Sequence, residues 1–340
     1  MKILFVGEFP FGSLGSSYFR AFERLGYEVF KFDLVEEYKM SNPFSANRYL
    51  NKLFGHLYYK DINEKLLEEI GIVKPELILV IKGACLFPET LIKTKNRFKS
   101  LLFCFNPDNP FNIYIGASND LIRKSISLYD CYLIWGKFLL PQLIEAGAKH
   151  VEYLPFAYDP ELHYPISLSD EDKATFESDI AFMGSWDKER EWWLEKIDKY
   201  DLAIWGNGWE KLGKKSPLRK KWKGKAVIGE DFSKVCTGSK IVLNLIRKQN
   251  QNAHNMRTFE VPAAKGFMLT TRTKEQCEFF EEGKEIECFE TPEELENKIK
   301  QLLNDCEVRS SMSENANKKV QHHSYDMRVK EIVDIYLKIK

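Results

Sequence analysis

Short apolar runs alternate with helix-patterned stretches along the whole chain, and they do so twice. In the first half the runs cover residues 2–6, 27–32, 77–81, 101–105, 131–135 and 151–154. In the second half they cover 179–183, 202–205, 226–229, 241–246, 267–270 and 286–289. Parallel strands need a long crossover between them, and a helix supplies it, so each half predicts a doubly wound α/β sheet. Between the halves the pattern dissolves into DPELHYPISLSDEDKATFESD, acidic and broken by proline, which reads as a linker over 158–178. The expected organisation is a Rossmann-like domain over 1–157, that linker, and a second Rossmann-like domain over 179–323. With 340 residues the chain can bury two separate cores.

The stretch NMRTFEVPAAKGFMLTT, residues 255–271, is the most informative within this frame. It follows the run IVLNLI and a polar loop, predicts a short helix over about 258–264, and resumes as a strand at 267. Gly266 stands where a left-handed residue closes a helix. Glu260 then lies just past the carboxyl end of a strand, where open α/β sheets hold ligands. A carboxylate there can accept the hydroxyls of a ribose, while nearby N–H groups of Asn255, Arg257 and Thr258 can face phosphate oxygens. The competing reading is that Glu260 only offsets the helix dipole.

Arg257-Thr258-Phe259-Glu260, the small residues after it, Gly266 and the apolar strand resemble the donor-site helix of GT-B glycosyltransferases, most closely the CgeB-like (spore maturation protein) group. The similarity continues through Glu278-Phe279-Phe280, Gly283, residues 291–295, Leu302-Leu303 and Arg328, and is looser in the first half. Many related enzymes carry a further glutamate where this sequence has Asn252. The resemblance implies two Rossmann-like domains with a cleft between them, an acceptor domain first and a nucleotide-sugar donor domain second. It also implies a C-terminal helix, residues 324–340, that crosses back to the first domain.

Other candidate positions follow from local chemistry. Gly184-Ser185, after the run 179–183, can cradle a diphosphate with backbone N–H groups, and Lys188 or Arg190 can neutralise it; a surface charge on an ordinary helix is the rival view of Arg190. Asp108 in NPDNPFN projects from a proline-stiffened loop, either as an Asx-turn residue or as a group reaching the acceptor, with the role of general base. The CgeB-like group often has Asp-Asp-Pro there. Gly12 and Gly15, in the loop 8–15, let backbone approach a ligand closely or simply permit a tight strand–helix turn, with Ser16 or Ser17 capping the helix that follows. Trp209 can stack on a base or sit in the core. The basic stripe Arg48, His56, Lys52 and Lys60, and the run KKSPLRKKWKGK, read first as solvated faces.

Composition narrows the classes. Lys+Arg and Asp+Glu both total 50, so no global field favours nucleic acid or an anionic membrane, and no nucleic-acid partner is expected. Seven cysteines with no C-x-x-C pair fit reduced thiols, with Cys104, Cys131 and Cys288 as small core residues. No signal-peptide pattern and no membrane-length apolar run is present, so a cytoplasmic protein is expected. Asp170-Glu171-Asp172 is formally an Asp-x-Asp triplet, but it lies in a polar connector, and no metal is expected. No G-x-S-x-G, H-E-x-x-H, Walker P-loop or G-x-G-x-x-G behind the first strand occurs. The leading expectation is a metal-independent glycosyltransferase that uses a nucleotide sugar and a glycan, protein or small-molecule acceptor. A nucleotide-sugar 2-epimerase would turn over the donor without acceptor, and a non-catalytic sugar- or coat-binding protein would bind without turnover.

Overall fold

The computed structural model describes residues 1–46, 55–112, 117–250 and 252–340. The chain divides into two compact units, Met1–Pro155 together with Tyr325–Lys340, and Phe156–Ser324.

The first unit holds a six-stranded parallel sheet: β1 (Lys2–Gly7), β2 (Glu28–Asp33), β3 (Leu77–Ile81), β4 (Leu101–Asn106), β5 (Cys131–Ile134) and β6 (Val151–Tyr153), in the order β2-β1-β3-β4-β5-β6. Ile3, Leu4, Phe5 and Val6 are all fully buried, as expected of a strand covered on both faces. The helix Leu14–Arg24 is capped by Ser13, whose hydroxyl accepts the Ser16 N–H; neither Ser16 nor Ser17 is the cap. Both lie inside the first turn, because the helix starts earlier than its periodicity shows. The last helix, Tyr325–Ile339, lies in this unit: Tyr325 meets the ring of Tyr18 at 4.8 Å, and Arg328 Nε donates to the Pro155 carbonyl at 3.0 Å. Arg24 pairs with Asp326 at its start. That half-exposed pair contributes at most about 1 kcal/mol, whereas burying Val329 and Ile332 completely contributes about 1.5–3 kcal/mol each. Packing therefore holds the helix.

The second unit holds a five-stranded parallel sheet: β7 (Ser178–Met183), β8 (Leu202–Trp205), β9 (Ser239–Asn244), β10 (Met268–Thr271) and β11 (Glu287–Phe289), in the order β11-β10-β9-β7-β8. Its core includes Phe182, Ile204, Trp209, Leu243, Leu269 and Phe289. Two expectations need correction. The stretch 158–178 is no free connector but part of this unit: Tyr158 N–H bonds the His323 carbonyl at 3.1 Å. Ser169 and Asp172 form a capping box on the helix Asp170–Phe176. Residues 226–229 are not a strand. The backbone at Lys223 and Lys225 bonds Ile204 in β8 and Gly206 just after it, and the chain then peels away toward Gly229, whose φ is 62°. No described helix is long and apolar enough to cross a membrane.

Candidate functional site

The carboxyl edge of the second sheet gathers charge around one helix, Arg257–Ala263. Asn255 fixes where it starts: its Oδ1 accepts the Thr258 N–H at 3.3 Å, and its Nδ2 donates to Asn244 Oδ1, at the end of β9, at 2.8 Å. The Thr258 hydroxyl donates to Gln276 Oε1 at 2.7 Å, and the residue is fully buried, so it supports the helix from behind and its side chain presents nothing to a ligand. The helix closes through Lys265, at φ 62°, and not through Gly266. Glycine is needed at 266 for a different reason: a Cβ there would meet Val261 Cγ1 at 3.0 Å and Cys236 Cβ at 3.1 Å.

Glu260 is buried and salt-bridged to Arg257. Arg257 Nε donates to the Met183 carbonyl at the end of β7 at 3.2 Å, and its guanidinium lies 4.8 Å from the Phe232 ring centroid. Arg257 thus ties the helix to β7 and aims the carboxylate. On the other side His163 Nε2 lies 3.7 Å from Glu260 Oε1, while His163 Nδ1 accepts the Asp159 N–H at 3.2 Å. Burial pulls the His163 pKa below its ordinary value, and this outweighs the raising effect of Glu260.

Two further guanidiniums complete the cluster. Arg190 lies over the Phe182 ring and donates through Nη1 to the Ser185 carbonyl at 2.8 Å. Asp187 caps the helix Lys188–Glu195, lies 3.6 Å from Arg190 Nε, and accepts Arg247 Nε at 2.7 Å. Burial first, then Arg247 and Arg257, push the Arg190 pKa down to about 10 although Asp187 opposes them. Crowded cations of this kind are relieved by an anion. Gly184 does not serve as expected: its N–H is committed to the Trp205 carbonyl at 2.8 Å, and its own carbonyl accepts Trp209 Nε1 at 2.9 Å. The turn is braced by the β8 loop, which comes so close that a Cβ on Gly206 would lie 2.0 Å from Gly184 O. Side chains, more than Gly184 backbone, face the site. Trp209 is a core residue.

The first unit treats its candidates differently. Asp108 Oδ2 is paired with Lys82 Nζ at 2.6 Å, and the Asx turn of that loop is made by Asn106, whose Oδ1 accepts the Asp108 N–H at 3.0 Å. Gly15 sits inside the helix Leu14–Arg24, where a Cβ would lie 2.1 Å from the Glu8 carbonyl, so its smallness serves the strand–helix turn. Gly12 has φ 76° in the same turn. Of the basic stripe, Arg48 and Lys52 lie outside the described residues. Asp170-Glu171-Asp172 forms the first turn of a helix, with Asp172 paired to Lys234 at 3.0 Å.

Sequence reading overlooked Arg247, Asp187 and His163. Arg247 was the most accessible of the three, because it follows a strand's carboxyl end directly.

Residues 188–334 match the family described as glycosyl transferase-like. Sucrose-phosphate synthase from Thermosynechococcus elongatus superposes with a TM-score of 0.72 at 11% identity, covering 100% of this chain and 99% of that one. The fold is that of GT-B glycosyltransferases. A glycosyltransferase from Rickettsia africae ESF-5 gives a TM-score of 0.66 at 14% identity, with 99% and 98% covered. Anabaena Alr3699/HepE in complex with UDP and glucose gives 0.62 at 12% identity, with 98% and 99% covered. Comparison with curated proteins yields no relative. The family match spans most of the second unit, Arg190 to Glu260 included, and runs into the last helix.

Proposed function

We propose that this chain is a glycosyltransferase that takes a sugar from a nucleotide-sugar donor, with the nucleoside diphosphate bound at the carboxyl edge of the second sheet. The observation that carries the reading is the convergence of Arg190, Arg247 and Arg257 beside the buried Glu260 carboxylate. Guanidiniums match phosphate oxygens in shape and charge. An ionised carboxylate offers about four lone-pair sites; Arg257 takes one, and in this reading ribose hydroxyls take others, beside His163 Nε2 at 3.7 Å from Glu260 Oε1. When the glycosidic bond breaks, negative charge grows on the diphosphate, so the same arginines stabilise the leaving group more than the bound donor. In this reading the arginines do the work that a divalent cation does elsewhere, and transfer proceeds in chelator.

The glycosyl transferase-like family match and the UDP complex of the Anabaena protein support this reading and make UDP the first ligand to try. Membership of the CgeB-like group, a cytoplasmic location, and an acceptor that is a glycan, protein or small molecule belong to the same proposal. So does Asp108 as the general base, for which Lys82 would have to release it.

Calorimetric titration with UDP, with and without chelator, tests the reading. Each charge-assisted hydrogen bond contributes about 1.5–3 kcal/mol, so Arg190→Ala and Arg247→Ala should each weaken UDP by about tenfold or more. No binding of UDP, GDP or ADP by the intact protein, or unchanged affinity in both variants, would refute it.

A further inference from the structure

On the far side of that helix's support lies a cluster the proposed transfer does not use. The helix Lys274–Phe279, the turn after it and β11 bring together the Cys277 thiol, the Glu282 carboxylate and the Cys288 thiol, each donor atom within 4.8 Å of the others. Cys288 is buried and Cys277 opens to solvent, so an ion has a way in. Both Glu282 oxygens accept from Arg272, Oε2 from Nε at 2.9 Å and Oε1 from Nη2 at 2.7 Å, which fixes the carboxylate and leaves second lone pairs for an ion, as metal-bound carboxylates are commonly held by an outer partner.

Local charge decides whether a cation is welcome there. Arg272 pairs with Glu282, Glu290 and Glu294, and Lys298 with Glu287 and Glu282. Two cations thus face four carboxylates, and the excess is negative before either thiol ionises. Two sulfurs with one carboxylate suit a soft or borderline ion over Mg²⁺ or Ca²⁺. Bond lengths of about 2.3 Å to sulfur and about 2.0–2.2 Å to oxygen put tetrahedral donors about 3.5–3.8 Å apart, so the three would close in by up to about 1 Å.

We propose that Cys277, Glu282 and Cys288 bind a thiophilic divalent cation of the Zn²⁺ class, with water in the fourth position. The site goes beyond the transfer reaction and does not depend on it. Its place in the fold gives it a consequence. Four bonds join the segment Thr273–Gln276 to the residues around the Arg257–Ala263 helix. Thr273 Oγ1 donates to the Ala253 carbonyl at 2.7 Å, and the Glu275 N–H donates to the Asn252 carbonyl at 3.0 Å. His254 Nδ1 meets Glu275 Oε2 at 2.8 Å, and Gln276 Oε1 accepts Thr258. A cation linking Cys277 to β11 would fasten this support and raise thermal stability.

The test is a Co²⁺ titration of reduced, metal-stripped protein, read by absorbance. The expected result is sulfur-to-cobalt charge-transfer bands with tetrahedral visible bands, saturating at one equivalent. Zn²⁺ should bleach them and Mg²⁺ should not. Cys277→Ser, at a position open enough to leave the fold intact, should abolish the bands, while Cys306→Ser should leave them. Zn²⁺ should raise the melting temperature of the parent protein and not of Cys277→Ser. Absence of the bands in the reduced parent, or their survival in Cys277→Ser, would overturn the proposal.

Discussion

The two sheets end alike in topology and unlike in chemistry. At the carboxyl edge of the second, Arg190, Arg247 and Arg257 crowd one another around Asp187 and Glu260, and Arg190 loses proton affinity through burial first and its cationic neighbours second. At the edge of the first, the acid singled out by its loop is matched by its own lysine, Asp108 with Lys82. Each unit also has a glycine at which an added Cβ would come within about 2 Å of a neighbouring carbonyl oxygen. Gly206 admits Gly184 O beside the arginines, whereas Gly15 admits Glu8 O within a strand–helix turn. The same topological position can therefore hold a crowd of like charges or a balanced pair: three guanidiniums gather around Asp187 and Glu260 at one edge, and Lys82 meets Asp108 at the other.

The glycine pair should break that comparison most visibly. Alanine at either position brings a Cβ to 2.0 Å or 2.1 Å from a carbonyl oxygen, so backbone must move in both variants. Overpacking of this kind costs about 1–3 kcal/mol, or more where backbone cannot yield. Gly206→Ala displaces the turn that carries Ser185 and the Arg190 contact, and UDP affinity should fall by about 100-fold, the equivalent of two charged hydrogen bonds at the low end. Gly15→Ala should lower the melting temperature comparably and leave UDP affinity within about twofold. Equal losses of affinity in the two variants would mean that the edges are not functionally distinct.

Next in size is Glu260→Gln, which keeps the shape and removes the charge. Losing one charged hydrogen bond of about 1.5–3 kcal/mol should weaken UDP by roughly one to two orders of magnitude. A 2′,3′-dideoxy nucleotide lacks the partner hydroxyls and should lose far less. Calorimetry against both ligands decides it: equal losses would reduce Glu260 to a residue that only orients Arg257.

How much of this was legible beforehand depends on what each feature rests on. Apolar runs placed β1 to β11 to within a residue or two, because the central strands, buried on both faces, must be continuously apolar, while the partly exposed edge strands β2 and β6 still carry apolar residues beside charged ones. The false strand at 226–229 has the same apolar composition, but the backbone bonds to β8 and Gly206 stop at Lys225, and edge pairing is a tertiary fact. Glu260 stands out in the sequence because its short helix lies between two apolar runs and its motif resembles a donor-site helix. Arg247 and His163 could not be grouped with it, since one lies in a polar loop and the other in a segment taken for a linker. Gly266 was read as a conformational requirement and turned out to be a packing one, a distinction that only the positions of Val261 and Cys236 reveal. Cys288 was read as an ordinary core residue, because nothing in the one-dimensional spacing marks Cys277 as its neighbour.

A smaller effect is expected of Asp108→Asn. It removes an ion pair that is partly exposed, worth at most about 1 kcal/mol to stability, and UDP affinity should stay within about twofold. Transfer to the true acceptor sharpens the contrast: a large fall in kcat/KM would show that the Lys82 pair opens during turnover, whereas an unchanged value would make Asp108 a structural residue of its loop.

The smallest effect concerns pH, and it separates the two units by a different route. His163 is buried with Glu260, Arg257 and Asp159 around it, and burial dominates, so its folded pKa lies below the unfolded value of about 6.5. Below that pH the unfolded chain takes up a proton that the folded chain resists. The unfolded state then binds more protons, stability rises with pH across the window, and it is lost as pH falls from about 6.5 toward the folded pKa. His163→Asn puts an amide oxygen near the place where Nδ1 accepts the Asp159 N–H and cannot titrate. Its melting temperature should therefore drop less than that of the parent between about pH 7.5 and about pH 5.5. UDP, bound beside Glu260, should make the parent's acid sensitivity more pronounced, since protonating His163 would draw the Glu260 carboxylate into an ion pair and away from the ribose. Identical acid-induced drops in parent and variant would show that carboxylates elsewhere set the pH dependence and that His163 serves only to hold the Asp159 turn.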